Sequence, residues 1–479
     1  MRRLSARMLM TAAVLMGTLT PAAADSWRAD PLRTMPPVLR HVDGTVAAAG
    51  AAACEFDSAP PTPLRLSDAI QRALCHNPET RQAWAWVLQE AASVGIARGA
   101  YLPNISASAS MARAEQRIDY SEQPGLSTDL SVRSTRMGMR LTWVLYDFGL
   151  RAADLARARH LLDAATAARS RDIRRILLET AQAYYALQSA QALLSAQQDA
   201  RSLARHSLDV AQARYQEGVG SLSDRLLAQT QLSDAQLRVV QAEGEVRRVR
   251  GRLASVLAMP PATVFELEPI AENTRSRSEF SSAVEELIET AQQAHPEIRM
   301  AQAQLAAARS ELDAVQAQGR PRISLVGTAD RQDTPIERVS SRQVINSYAV
   351  GVQIEIPLFS GFINQYERRR AKAGVERFES ELADARRRVA LDVWEGYHAL
   401  LTQTETLEIS AALTDNARQS FEVAQGRYRA GVGSMLELLT AQNDLVQARQ
   451  THIAQLATWY DARLYLATQV VRLESNPAL

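Results

Sequence analysis

The sequence predicts a mainly α-helical protein with a smaller β portion, built as one unit used twice. Three observations predict it. Residues 67–110 and 285–328 share a pattern at an offset of 218, so that Asn77-Pro78-Glu79 returns as His295-Pro296-Glu297. Further on the offset is 213: Leu145-Tyr146 returns as Leu358-Phe359, and Tyr215-x-x-Gly218-Val219-Gly220-Ser221 as Tyr428-x-x-Gly431-Val432-Gly433-Ser434. Second, no proline occurs over 125–259 or 358–476, stretches dominated by the strong helix formers Ala, Leu, Arg, Gln and Glu. Third, four short segments alternate apolar and polar residues, the period of a strand.

Residues 1–24 read as a secretory signal. Arg2, Arg3 and Arg7 precede an apolar core over 8–19, and Ala22-Ala23-Ala24 supplies small residues for cleavage. An anchor left in place is the alternative, but about a dozen apolar residues are too few to span a bilayer. Without the signal, 51 basic residues face 53 acidic ones, and this near-neutral balance offers no basic surface for nucleic acid. Residues 25–64 are rich in Pro, Ala and Gly and read as an irregular N-terminal segment. Export to an oxidising compartment lets the two cysteines of the chain, Cys54 and Cys75, pair as a disulfide that clips this segment onto the first helix. Lipidation of Cys54 is the other reading, weakened by its distance from the signal.

The first repeat is expected over 65–260 and the second over 282–474, joined by a linker at 261–281. Each begins with a short helix, near 67–99 and 282–317. Strand candidates follow at about 104–113 and 136–145, then 322–329 and 348–357. In the first pair Ile105, Ala107, Ala109 and Met111 share one face, as do Met137, Met139, Leu141 and Trp143 in the second. Polar loops are expected over about 114–133 and 330–346. Long helices near 150–214 and 363–427 come next, each about 100 Å at ~1.5 Å per residue. The hairpin tips at 215–221 and 428–434 carry the Gly-x-Gly pairs that suit a chain reversal. Short helices at 223–258 and 435–472 return. Helices this long need neighbours along their whole length, so coiled-coil-like packing is expected.

No stretch reaches 18 apolar residues, so a membrane role has to come from strands. Four strands cannot close a barrel, which needs roughly eight or more, and lipid does not tolerate an open sheet edge. Strands that enter a membrane must then be pooled from two, three or four copies. Arg136 and Arg140, on the polar strand face, line the pore or sit at the membrane rim. Trp143, Tyr146 and Phe359 suit an interfacial aromatic girdle or a packed core.

Reaction chemistry is missing. The single lysine, Lys372, follows Ala371 rather than the glycine of a phosphate-binding loop, and no His-Glu-x-x-His, Cys-x-x-Cys or Gly-x-Ser-x-Gly occurs. The expectation is no enzyme, no cofactor and no metal site.

The ordered set of motifs, occurring twice, resembles the TolC family of outer-membrane channel proteins of efflux pumps and type I secretion systems, over about 64–474. The resemblance implies a mainly α fold with a membrane β-barrel portion: a homotrimeric 12-strand β-barrel continued by a 12-helix α-barrel. It also implies the bacterial outer membrane with helices in the periplasm, contact with outer-membrane lipid, and no nucleic-acid partner. Partners would be a periplasmic adaptor (membrane fusion) protein and an inner-membrane ABC or proton-driven transporter. Cysteine placement and length favour the type I protein-secretion branch, of the kind that exports large RTX toxins such as an adenylate cyclase–haemolysin. The alternatives are the outer-membrane factor of a multidrug efflux pump and, from another class, a soluble periplasmic coiled-coil adaptor. An adaptor would normally carry one hairpin, so two hairpins and four strands favour the duct.

By the same resemblance Tyr428 falls on the tip tyrosine of the pore gate, Glu437 on a constricting carboxylate and Asp224 on another carboxylate of that network. Thr440 and Leu456 depart from the family's second carboxylate and clamping arginine. Tyr215, Gly218, Gly220, Gly431 and Gly433 would form the tips that an adaptor meets.

Overall fold

The structure is a computed structural model, and it describes residues 30–34, 63–119, 121–122, 128–268, 284–336 and 341–470. The proposed signal peptide and Cys54 lie outside the described residues. In chain order the elements are α1 Leu66–His76, α2 Pro78–Gly99, β1 Asn104–Ile118, β2 Thr128–Tyr146, α3 Leu150–Gln216 and α4 Leu222–Val256, then α5 Val284–Ala294, α6 Pro296–Gln318, β3 Arg322–Ile336, β4 Ser341–Glu355, α7 Ile363–Arg429 and α8 Met435–Val470. The second six repeat the first six in type and order. The connections β1–β2 and β3–β4 are nine and four residues long, over 119–127 and 337–340. Their difference of five is the change in repeat offset.

Two expectations are corrected. The helices expected as single pieces near 67–99 and 282–317 are each broken, at Asn77 and at His295. Asn77 Oδ1 accepts from the Glu79 N–H at 2.9 Å, and His295 Nδ1 takes the same place before Glu297 at 3.4 Å. The repeated Pro is thus the first residue of a new helix, where its missing N–H costs nothing. The polar loops expected over 114–133 and 330–346 are largely strand, because the ladders continue past the apolar alternation.

The chain divides into two compact units. The first comprises the described parts of 1–41, 88–159 and 313–366. Its centre is a four-stranded antiparallel sheet in the order β1-β2-β3-β4. The register aligns the alternating faces of all four strands: Ile105 stands beside Leu141, Leu141 beside Gly327 and Gly327 beside Val350. The next row in phase is Ala107, Met139, Ala329 and Tyr348. In these rows one side of the sheet is apolar, yet it is uncovered: Met139 is 57% exposed, Tyr348 81% and Val350 81%. Each such side chain gains about 1.5–3 kcal/mol on leaving water, so the face is built for an apolar surrounding. From Tyr146 to Met139 the apolar rows span about 18 Å once strand tilt is allowed for, and the next row, Ala109, Met137, Arg331 and Asn346, is mixed. Both β1 and β4 are edge strands with one unpaired side. Where β2 passes into α3, buried Asp147 accepts from the Gly149 and Arg151 N–H groups at 3.3 and 3.2 Å and pairs with Arg151 Nε at 2.6 Å. Residues 30–34 are held by Arg98, whose Nη1 donates to the Leu32 carbonyl at 2.6 Å.

The second unit comprises the described parts of 42–87, 160–312 and 367–479 and is helical. Along α4 the buried residues Ala228, Leu232, Ala235, Val239, Ala242, Val246, Val249, Leu253 and Val256 follow alternating steps of four and three, with Ala254 buried beside Leu253. That is the 3.5-residue repeat of a left-handed coiled coil, as expected for helices of this length. Alanine fills many of the buried positions. No helix among the described residues is long and apolar enough to cross a membrane.

Candidate functional site at the hairpin tips

Both tips are built alike, each residue of the repeated motif having a mechanical task. At the end of α3 the Gly218 N–H bonds the Tyr215 carbonyl at 3.1 Å and the Val219 N–H bonds the Arg214 carbonyl at 3.0 Å. At the end of α7 Gly431 and Val432 repeat this on Tyr428 and Arg427, at 3.1 and 3.0 Å. The pattern closes a helix over a left-handed residue, and Gly218 and Gly431 have φ of +75° and +78°. The second glycine of each pair is needed for space. A Cβ on Gly220 would sit 2.9 Å from Arg214 Cβ, and one on Gly433 3.0 Å from Arg427 Cβ and the Tyr428 nitrogen.

The serine that follows starts the returning helix. Ser221 Oγ accepts from the Asp224 N–H at 3.0 Å, and Ser434 Oγ from the Glu437 N–H at 3.1 Å. Asp224 and Glu437 are thus the third residues of α4 and α8, where a carboxylate also meets the positive helix end. The Ser-x-x-Asp and Ser-x-x-Glu spacing is the signature in the sequence that marks these two helix starts.

Duplicated residues have taken different partners. Tyr428 is 2% exposed, packed in a cluster with Leu208, Leu232, Met435 and Leu438, while Tyr215 is 38% exposed with the Arg225 guanidinium 4.8 Å over its ring. Burial pushes the Tyr428 phenol up, the charge of Asp224 adds to this and Arg214 opposes it. The Tyr428 hydroxyl is buried with no hydrogen-bond partner. Arg427 stays within its own hairpin and pairs with Glu437, Nε to Oε1 3.3 Å. Its counterpart Arg214 instead crosses to the other hairpin. There its guanidinium lies 4.9 Å over the Tyr428 ring and Nη1 donates to the Tyr428 carbonyl at 2.6 Å.

Further bonds join the hairpins. Arg429 Nη2 lies 2.7 Å from His206 Nε2; a guanidinium can only donate, so in this contact the ring nitrogen accepts. Ser207 Oγ donates to Gln442 Oε1 at 3.1 Å in the interior, and Gln231 Nε2 to Asn443 Oδ1 at 2.5 Å. On the second hairpin, Ser420, Glu437, Thr440 and Asp444 line one open groove. The structure thus brings Tyr428, Asp224 and Arg214 into one electrostatic neighbourhood and places Glu437 beside Arg427. Arg136 and Arg140 belong to the other unit, on the polar side of the sheet with Ser106, Ser110 and Thr328. Cys75 is on α1. Among the described residues no group of His, Cys, Asp and Glu is arranged to hold a metal ion.

The family model described as "Outer membrane efflux protein" matches residues 69–258 and 287–470, one segment in each repeat. The chain belongs to the outer membrane efflux protein family. Members of the family are channel proteins of the outer membrane in tripartite export systems, so this protein is a transport channel and not an enzyme. Protein CyaE of Bordetella pertussis is 35% identical over 417 residues, 85% of each chain. The alkaline protease secretion protein AprF of Pseudomonas aeruginosa is 22% identical over 268 residues, 54% of this chain and 55% of that one. The probable efflux pump outer membrane protein TtgC of Pseudomonas putida is 26% identical over 395 residues, 81% of this chain and 79% of that one. Among the solved structures that match, the outer membrane protein VceC of Vibrio cholerae has a TM-score of 0.72 at 18% identity, over 85% of this chain and 95% of that one, and the outer-membrane channel OprN has 0.73 at 21%, over 91% and 98%, which establishes a shared fold.

Proposed function

We propose that three copies of this chain form the exit duct of a type I protein-secretion system. The three sheets close a twelve-strand barrel in the outer membrane, and the helices form a tunnel in the periplasm. The hairpin tips are the gate and meet a periplasmic adaptor, and an inner-membrane transporter supplies the energy. The observation that carries this reading is the sheet: two unpaired edges and one uncovered apolar face are tolerable only when neighbouring copies take the edges and lipid takes the face. Protein cargo is supported by the similarity to CyaE along most of the chain and to a relative named for protease secretion. Tyr428 is proposed as a gate residue because Arg214 of the other hairpin bonds it, Asp224 because its charge acts on Tyr428, and Glu437 because it lines the open groove at the second tip beside Arg427. A disulfide between Cys54 and Cys75 is part of the proposal.

The similarity to TtgC favours a second reading, export of small molecules by a pump. A deletion strain separates the two. Loss of one or a few proteins from the culture medium with unchanged drug tolerance supports protein secretion. Hypersensitivity to drugs with an unchanged secretome supports the pump.

A further inference from the structure

Arg136 and Arg140 stand four residues apart on β2, on the polar side of the sheet. A third arginine of this side, Arg322, is neutralised by Glu355 at 2.7 Å. Arg136 donates to the neutral Gln332 at 2.8 Å, and among the described residues neither Arg136 nor Arg140 has a carboxylate at ion-pair distance. Their nearest acid by register is Asp330, which stands beside Gly138 in the row between them. Its Oδ1 occupies the space where a side chain at Gly138 would begin, 2.5 Å from the place of a Cβ. One carboxylate thus faces two guanidinium groups without pairing to either.

Distance decides whether this matters to anything passing by. Twelve strands ~4.8 Å apart and tilted by ~40° enclose a backbone radius of about 12 Å. Arginine side chains reach roughly half of that, which leaves their charges about 6 Å from the axis, inside the ~8 Å screening length of physiological salt. A chain threading the barrel therefore cannot avoid the field.

We propose that Arg136 and Arg140 form an anion-attracting band inside the barrel that favours the passage of acidic polypeptide. The inference rests on the trimeric duct and deepens it by naming the chemical class of cargo. Three copies present six guanidinium groups in two tiers, with Asp330 moderating both.

The test is current block of the purified channel in a planar bilayer, with polyglutamate or polylysine added on the side of the strand loops, so that the polymer meets the barrel before the tips. Polyglutamate blocks the wild type and polylysine does so at least tenfold less well. The double variant Arg136→Gln with Arg140→Gln raises the half-blocking concentration of polyglutamate at least tenfold, whereas Asp330→Asn lowers it about threefold. The Asp330→Asn measurement decides the matter alone where the double variant does not assemble. Equal block of all variants, or stronger block by polylysine, overturns the proposal and leaves the duct intact. A wild-type protein that opens no channel overturns the duct and the proposal together.

Discussion

Arg214 Nη1 bonds the carbonyl oxygen of Tyr428 at 2.6 Å, so the end of one hairpin grips the end of the other through main chain. A hydrogen bond to a charged donor contributes about 1.5–3 kcal/mol, and the stacking over the Tyr428 ring about 0.5–1 kcal/mol at a partly exposed place. Arg214→Ala is expected to raise mean conductance in planar bilayers several-fold, with Arg214→Lys in between because it keeps charge and loses the planar fork. Tyr428→Phe leaves conductance and thermal stability nearly unchanged, since the lost hydroxyl has no partner and the accepting carbonyl remains. A Tyr428→Phe channel as open as Arg214→Ala would mean that the phenol holds the gate.

The two glycines of a tip are expected to respond differently to a methyl group. Gly431→Ala puts a side chain at φ +78° with its nearest neighbour, Arg214 Nη2, 3.8 Å away, so about 1 kcal/mol is lost. Gly433→Ala drives a Cβ against the Arg427 and Tyr428 backbone at 3.0–3.1 Å and costs more, because a helix end cannot move aside as a side chain can. Denaturation midpoints in detergent rank Gly433→Ala below Gly431→Ala; the reverse order contradicts the geometry.

Glu437 pairs with Arg427 while its N–H is capped by Ser434, and these two roles are separable. Ser434→Ala should cost about 1 kcal/mol of stability through the lost cap. Glu437→Gln should cost well under that, because a half-exposed ion pair contributes ~0–1 kcal/mol, yet it should reduce block by multivalent cations. A Glu437→Gln loss larger than the Ser434→Ala loss would show that the pair holds the tip together.

Asp461 provides the pH test. Burial pushes its carboxyl up to about 6, from 3.8 in the unfolded chain, and its Oδ1 is buried without a partner. The folded state therefore binds this proton more tightly than the unfolded state does. The resulting stabilisation is complete below pH 3.8 and is lost as pH rises through about 6. Asp461→Asn should remove that dependence and stabilise the protein at pH 7.5 by roughly 1 kcal/mol, a figure reduced for the solvent reaching this part-buried group. Melting curves from pH 4 to 8 check it; a variant with the same pH slope as the parent removes Asp461 from the account.

Much of this architecture is legible in the chain because it is local and repeated. The offsets locate four strands and two tips, and the heptad steps along α4 follow from Ala, Leu and Val spacing. The breaks at Asn77 and His295 were present as a repeated Pro but hidden by continuous helix-forming neighbours. The strands run further than their alternation does, because residues such as Arg117, Asp129 and Asp333 break the apolar contrast while their backbone keeps pairing. The bonds of the tip were out of reach of sequence reasoning. Arg214 and Arg427 are equivalent by repeat, and only packing decides that one braces its own hairpin and the other clamps its neighbour.

The open sheet has two free edges that copies of the same chain would complete. Native mass spectrometry of the protein extracted with mild detergent from outer-membrane fractions tests it most directly. A complex of three copies of the chain is expected; a folded single copy from the same membranes would contradict a shared barrel.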